Sequence, residues 1–130
     1  MGTQQLLLIV LGVIIVGIAV VVGLSLFQSK STDATIDTMV QEMMSIMSDA
    51  QQYRQKTTNT GGGGGSFLGF TAASNKLNTQ TATYTVTLRR QNREIRITGT
   101  SRGRLSSTRQ TIRVRIDATY SNFTTTILRK

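Results

Sequence analysis

The chain has 130 residues, 38% of them apolar and 16% charged, and contains no His, Cys, Pro or Trp. Zinc sites of His or Cys, thiol or Ser-His chemistry and disulfide frameworks all need residues it lacks, so an enzyme is not expected and no cofactor or metal is implied. Charge is unevenly placed. Nothing before Lys30 is charged, Lys30 stands against Asp33, Asp37, Glu42 and Asp49 up to residue 53, and beyond it fourteen Lys or Arg face only Glu94 and Asp117. A basic C-terminal part in a chain of net charge +9 favours anionic surroundings: nucleic acid, lipid headgroups, cell-wall polymers or an acidic neighbouring subunit.

Four segments follow in chain order: 1–29, 30–56, 57–81 and 82–130. In the first, Leu6 to Phe27 reads LLLIVLGVIIVGIAVVVGLSLF. As a helix it rises about 33 Å, enough for a bilayer core of about 30 Å. A secretory signal would show a basic start, a shorter apolar core and a small-residue cleavage site, none of which is present, and Leu6 breaks the myristoylation pattern. Counting charges as they stand places the C-terminal part in the cytoplasm; a basic leader already removed would reverse that orientation. Gly12 and Gly17 lie five apart, so they are not a GxxxG pair, but with Gly23 they allow close helix approach and local unwinding.

The second segment has apolar residues at Ile36, Met39, Val40, Met43, Ile46, Met47, Ala50 and Tyr53, the spacing of an amphipathic helix. With no Pro to break it, the helix is expected to continue from the first segment to about Lys56, roughly 80 Å in all, with the polar run at Ser31 as the one place to loosen. The methionines at 39, 43, 44 and 47 suit an adaptable packing surface. Asp33 and Asp37, four apart, are read as charges at a helix start near Ser31 in preference to a cation site.

Gly61 to Gly65 then ends the helix, and five consecutive glycines are expected to form a flexible linker; the Lys and Ser or Thr of a phosphate-binding loop do not follow. Phe67, Leu68 and Phe70 are placed to anchor the returning chain, on the helix stripe or on a neighbouring molecule. From Ala82 the period becomes two. Tyr84, Val86 and Leu88 alternate with threonines, and further strands are expected near Glu94–Thr100, Thr108–Ala118 and Phe123–Leu128. Ile95, Ile97, Ile112, Val114 and Ile116 point inward, and Phe123, Thr125 and Ile127 share one face. Short turns at Gln91 and Asn92, at 101–107 and at 121–122 make an antiparallel meander. The fold class is α+β: a long N-terminal helix packed on a four-stranded antiparallel sheet.

This layout, with the start MGTQQLLLIVLGVIIVGIAV, resembles a type IV pilin or pseudopilin. The resemblance implies a filament subunit, inner-membrane bound before assembly and extracellular after it, matured by a prepilin peptidase and raised by an assembly machine. In that family the leader is cut after a glycine, the new N-terminus is a methylated Phe or Met, and the fifth residue is usually a glutamate. With Met1 as the mature end Gln5 takes that place; cleavage after Gly2 would put Leu7 there. Gln5 is neutral, the usual proline is missing near Val21, Val22 and Gly23, and no C-terminal disulfide loop exists. Met1, Gln5, Leu6, Leu7, Gly12, Val13, Gly17 and Gly23 are therefore the implied assembly residues.

Arg89, Arg90, Arg93, Arg96, Arg102, Arg104, Arg109, Arg113 and Arg115 form a basic set in and between the strands, with Arg113 and Arg115 on the outer face; Arg89, Arg90, Arg93, Arg96, Arg113 and Arg115 are the candidates for an anionic-binding surface. They are read first as a solvated sheet face partly balanced by Glu94, Asp117 and the helix acids, and second as a surface for DNA or an anionic polysaccharide. Aromatics are scarce near them, which disfavours base stacking, and seven aromatics in the chain give no path for electron conduction. Asn122, Phe123 and Thr124 form a glycosylation sequon in an expected turn. The function expected is a structural filament subunit with roles in adhesion, motility or DNA capture left open. The alternatives are a pseudopilin of a secretion or DNA-uptake machine and a single-pass anchored binding domain.

Overall fold

The computed structural model describes residues 2–103, 111–119 and 122–129. Met1, Arg104 and Arg109, the expected strand start at Thr108 and the turn at 121 lie outside them. Two compact units are present, residues 1–33 and 34–130. One helix, α1, runs Gly2–Gln55 through both. The polar run at Ser31 does not interrupt it, so Asp33 and Asp37 sit within a helix and not at its start, contrary to the expectation for that pair. In the first unit the side chains from Leu6 to Phe27 are exposed throughout.

In the second unit α1 is followed by a 3-10 turn at Thr58–Thr60, a short helix α2 (Ser74–Leu77) and strands β1 (Ala82–Arg89), β2 (Glu94–Ser101), β3 (Ile112–Ala118) and β4 (Phe123–Arg129). The strands lie in the order β1-β2-β3-β4, each antiparallel to the next. The apolar stripe read from the sequence is the stripe that is buried: Ile36, Met39, Met43, Ile46, Met47 and Ala50 close over Tyr84, Ile95, Ile97, Val114, Ile116 and Ala118. A fully buried Ile or Met contributes about 1.5–3 kcal/mol, so this layer is the main source of stability of the unit. Every residue of the core cluster lies at Ile36 or beyond.

Gly99 sets how closely α1 approaches. It stands directly opposite Tyr84 in the β1–β2 register, and a Cβ there would come within 2.7 Å of the Tyr84 ring and 3.1 Å of the Met39 methyl. Lacking one, it lets the ring lie across β2. The Tyr84 hydroxyl then donates to Glu42 on α1, whose carboxylate also accepts from Thr79 at 2.9 Å. Burial, then the bond to Glu42 and its negative charge, push the Tyr84 phenol well above its ordinary 10.0. The folded chain thus holds this proton more tightly than the unfolded one. Stability should be intact below pH 10 and decline as pH rises above it. Tyr84→Phe should flatten that alkaline decline and cost about 1.5–3 kcal/mol at neutral pH, as urea melts across the pH range would show.

The glycine run differs from its expectation as a flexible linker, because it is tied down by its own amides. Helix ends leave carbonyls without partners, and here Gly63 N–H donates to Tyr53 O at 2.8 Å, Gly65 N–H to Arg54 O at 2.9 Å and Gly64 N–H to Lys56 O at 3.0 Å. The run is a helix cap built from consecutive amides. Side chains are excluded from it: a Cβ on Gly62 would collide with Lys56, and one on Gly63 with the Ser66 carbonyl. The chain leaving the cap is pinned as anticipated in part. Phe67 is buried with the Arg54 guanidinium 5.7 Å from its ring centre, and Phe70 packs on Tyr53, but Leu68 faces solvent while its carbonyl accepts from the Tyr53 hydroxyl at 2.7 Å.

Candidate functional site

The sequence points to two surfaces, and each falls on a different part of the fold. Gln5, Leu6, Leu7, Gly12, Val13, Gly17 and Gly23 all lie in the first unit on unbroken α1. Among the described residues, nothing beyond the helix's own adjoining backbone comes within 4 Å of a Cβ built on Gly12, Gly17 or Gly23. Leu6, Leu7 and Val13 are each about two-thirds exposed (64%, 68% and 67%). An 18-residue window of this helix has a mean hydropathy of 3.3, so it is long and apolar enough to cross a membrane. Met1 lies outside the described residues.

The basic residues separate into two groups. Arg89, Arg90 and Arg93 cluster at the β1–β2 turn, and Arg96, Arg113 and Arg115 stand on the sheet face opposite the core. At the turn, Arg90, Gln91 and Asn92 all have positive φ, between 48° and 65°, a conformation that costs a side-chain-bearing residue about 1–3 kcal/mol. Phe67 N–H holds this turn by donating to Asn92 O at 2.9 Å, and Arg90 pairs with Glu94 at 3.3 Å. Arg90 is mostly exposed, so that pair contributes little.

On the outer face, β2–β3 register sets Arg96 directly across from Asp117, and the guanidinium grips the carboxylate at 2.5 and 3.0 Å. That hydrogen bond raises the Arg96 pKa further, so its charge is fixed and already answered. Arg113 and Arg115 make no ion pair among the described residues, and Arg115 Nε is buried there without a hydrogen-bond partner. The balance of charge expected from the sequence is therefore half present. Glu94 and Asp117 do pair with arginines, whereas the helix acids bind elsewhere: Asp49 pairs with Lys76 at 2.5 Å, and Glu42 takes Tyr84 and Thr79. Which arginines remain available depends on cross-strand register, and alternation alone does not reveal register.

A shallow cleft of about 390 Å³ also opens beside the glycine cap, lined by Asp49, Gln52, Tyr53, Lys56, Phe70 and Thr71 among others. The combination of an apolar N-terminal helix with a helix-on-sheet second unit is a pilin-like architecture. No family model, curated protein or solved structure matches the chain.

Proposed function

We propose that this chain is the non-enzymatic structural subunit of a cell-surface filament resembling type IV pili. It polymerises through the Leu6–Phe27 part of α1 into a helical bundle, with the sheet-bearing units outside. The observation that carries this reading is an uncharged apolar stretch of helix, exposed from Leu6 to Phe27, on a chain whose other unit has a core of its own. Such a helix is stable only in lipid or against other helices of its kind, and copies of itself can replace lipid when the subunit leaves the bilayer. Gly12, Gly17 and Gly23 then let neighbouring helices approach closely. Before assembly the subunit sits in the inner membrane, where a prepilin peptidase and the assembly machinery act on it.

Electron microscopy of material sheared from cells, with the intact mass of its subunit, tests this. Filaments built of this chain are the expected result; protein confined to the membrane fraction without polymer would favour the anchored binding domain. Sparse, short polymers tied to a secretion or DNA-uptake apparatus would favour the pseudopilin.

The outer face supports a secondary role in holding anionic polymers, since Arg113 and Arg115 carry charge that no acid of the described residues answers. An Arg113→Glu, Arg115→Glu double variant should assemble normally and lose retention on DNA or acidic polysaccharide at low salt. Unchanged retention would remove that face from consideration.

A further inference from the structure

Three strands of the sheet lie beneath α1 and the fourth does not. β4 pairs with β3 in unbroken register, so Phe123 and Ile127 stand opposite Ala118 and Val114 on the face turned toward α1. Ala118 and Val114 are fully buried, yet Phe123 is 51% and Ile127 48% exposed. The geometry explains the difference. Four strands about 4.8 Å apart make a sheet about 14 Å wide, more than the ~10 Å cylinder of a single helix covers.

The lateral placement of α1 follows from its polar contacts. Glu42 reaches Tyr84 on β1 and Asp49 reaches Lys76 on α2, so that flank faces the β1 side. Val40 and Met44 lie on the opposite flank of the helix, toward β4; Val40 is partly buried and Met44 is 46% exposed. The result is an apolar strip about one helix wide, bordered by Met44 on one side and floored by Phe123 and Ile127. From Phe123 to Leu128 it is free of charge, and Arg129, set opposite Ile112, closes its far end. β2 and β3 carry Glu94, Arg96, Arg113, Arg115 and Asp117, whereas β4 carries a charge only at that last residue, although an edge strand is ordinarily protected by charge, Pro or a bulge.

Among the described residues, the uncharged, exposed Leu6–Phe27 stretch has the same apolar character. We propose that the strip along β4 is the seat of the Leu6–Phe27 helix of a second copy of this chain. This rests on the filament reading above and adds which face of the sheet unit a neighbour's helix meets. A strip neutral up to Leu128 and a neutral helix each remove from water what the other exposes, and a helix seated short of Arg129 buries no charge without a partner. The two patches are different parts of the chain, so the contact can be made heterologously, and where its rotation does not close, its repetition propagates as an open filament.

The test is site-specific photocrosslinking in intact filaments. A benzophenone amino acid is placed at position 123 in one variant and 127 in another, with position 126, on the opposite face of β4, as control. Irradiated filaments are resolved on a denaturing gel, and the crosslinked peptides are mapped by mass spectrometry. Positions 123 and 127 are expected to give dimers and a ladder of higher oligomers whose partner peptide lies within residues 6–27, with position 126 giving none to that segment. Crosslinks from intact filaments that map to another strand, or no intermolecular product from either position, would overturn the proposal and leave the filament reading standing. An unmodified chain that forms no filaments would overturn both.

Discussion

Val13→Asp is expected to abolish the polymer while leaving the sheet unit folded. Val13 lies about a third of the way along the apolar Leu6–Phe27 stretch of α1, two-thirds exposed, and no charged side chain lies in that stretch to pair with a carboxylate. An ionised Asp at the middle of a bilayer helix costs about 2.5–3.5 kcal/mol, and an unpaired charge in a water-free bundle costs more. Every copy in the filament would bear that penalty, so polymer should disappear and not merely shorten. The core begins at Ile36, so amide exchange within residues 34–130 should be unaltered. Val13→Ala and Gln5→Glu should both still assemble. The readout is filament counts in sheared fractions, and normal filaments from Val13→Asp would sink the bundle model.

Gly63→Ala should destabilise the sheet unit by about 1–3 kcal/mol, although a methyl in a surface glycine run is ordinarily harmless. The added Cβ would strike the backbone carbonyl of Ser66, which no rotamer change can relieve. Relief requires moving the amide that caps Tyr53 O, and with it the neighbouring amides on Arg54 O and Lys56 O. For a unit of this size about 1 kcal/mol corresponds to ~4–8 °C in melting temperature. Gly103→Ala, where the new methyl meets nothing within 4 Å, should stay within about 0.5 kcal/mol of the parent. Equal melting temperatures for the parent and Gly63→Ala would restore the picture of a flexible linker.

These two positions mark where sequence reading worked and where it stopped. The helix could be read because apolar residues recur at steps of three and four from Ile36 to Ala50, and because no Pro intervenes before it. β1 and β2 could be read from strict alternation, which located β1 from Ala82 and β2 from Glu94. The glycine cap could not. Flexibility is what five glycines imply in isolation, and their order here comes from helix carbonyls that demand partners, a tertiary circumstance. The pairing of Arg96 with Asp117 was equally hidden, since it depends on which residues of β2 and β3 stand opposite. Phe123 and Ile127 had the right period and were correctly placed on one face. Their exposure follows from the width of one helix against four strands, a quantity that no single strand's pattern contains.

The serial strand order has a consequence for how the chain reaches its native state. Each strand pairs only with its neighbour in sequence, so no segment has to be threaded between two already joined, and each new strand closes only a short loop. The 130 residues also hold no Pro and no Cys, which removes prolyl isomerisation and disulfide exchange, the usual sources of phases lasting tens of seconds or longer. Refolding from denaturant should therefore proceed without a slow kinetic phase, and neither a prolyl isomerase nor an oxidant should accelerate it. On the filament reading proposed above, the subunit would become assembly-competent as soon as its sheet has formed, with no prolyl isomerase or disulfide catalyst in the path.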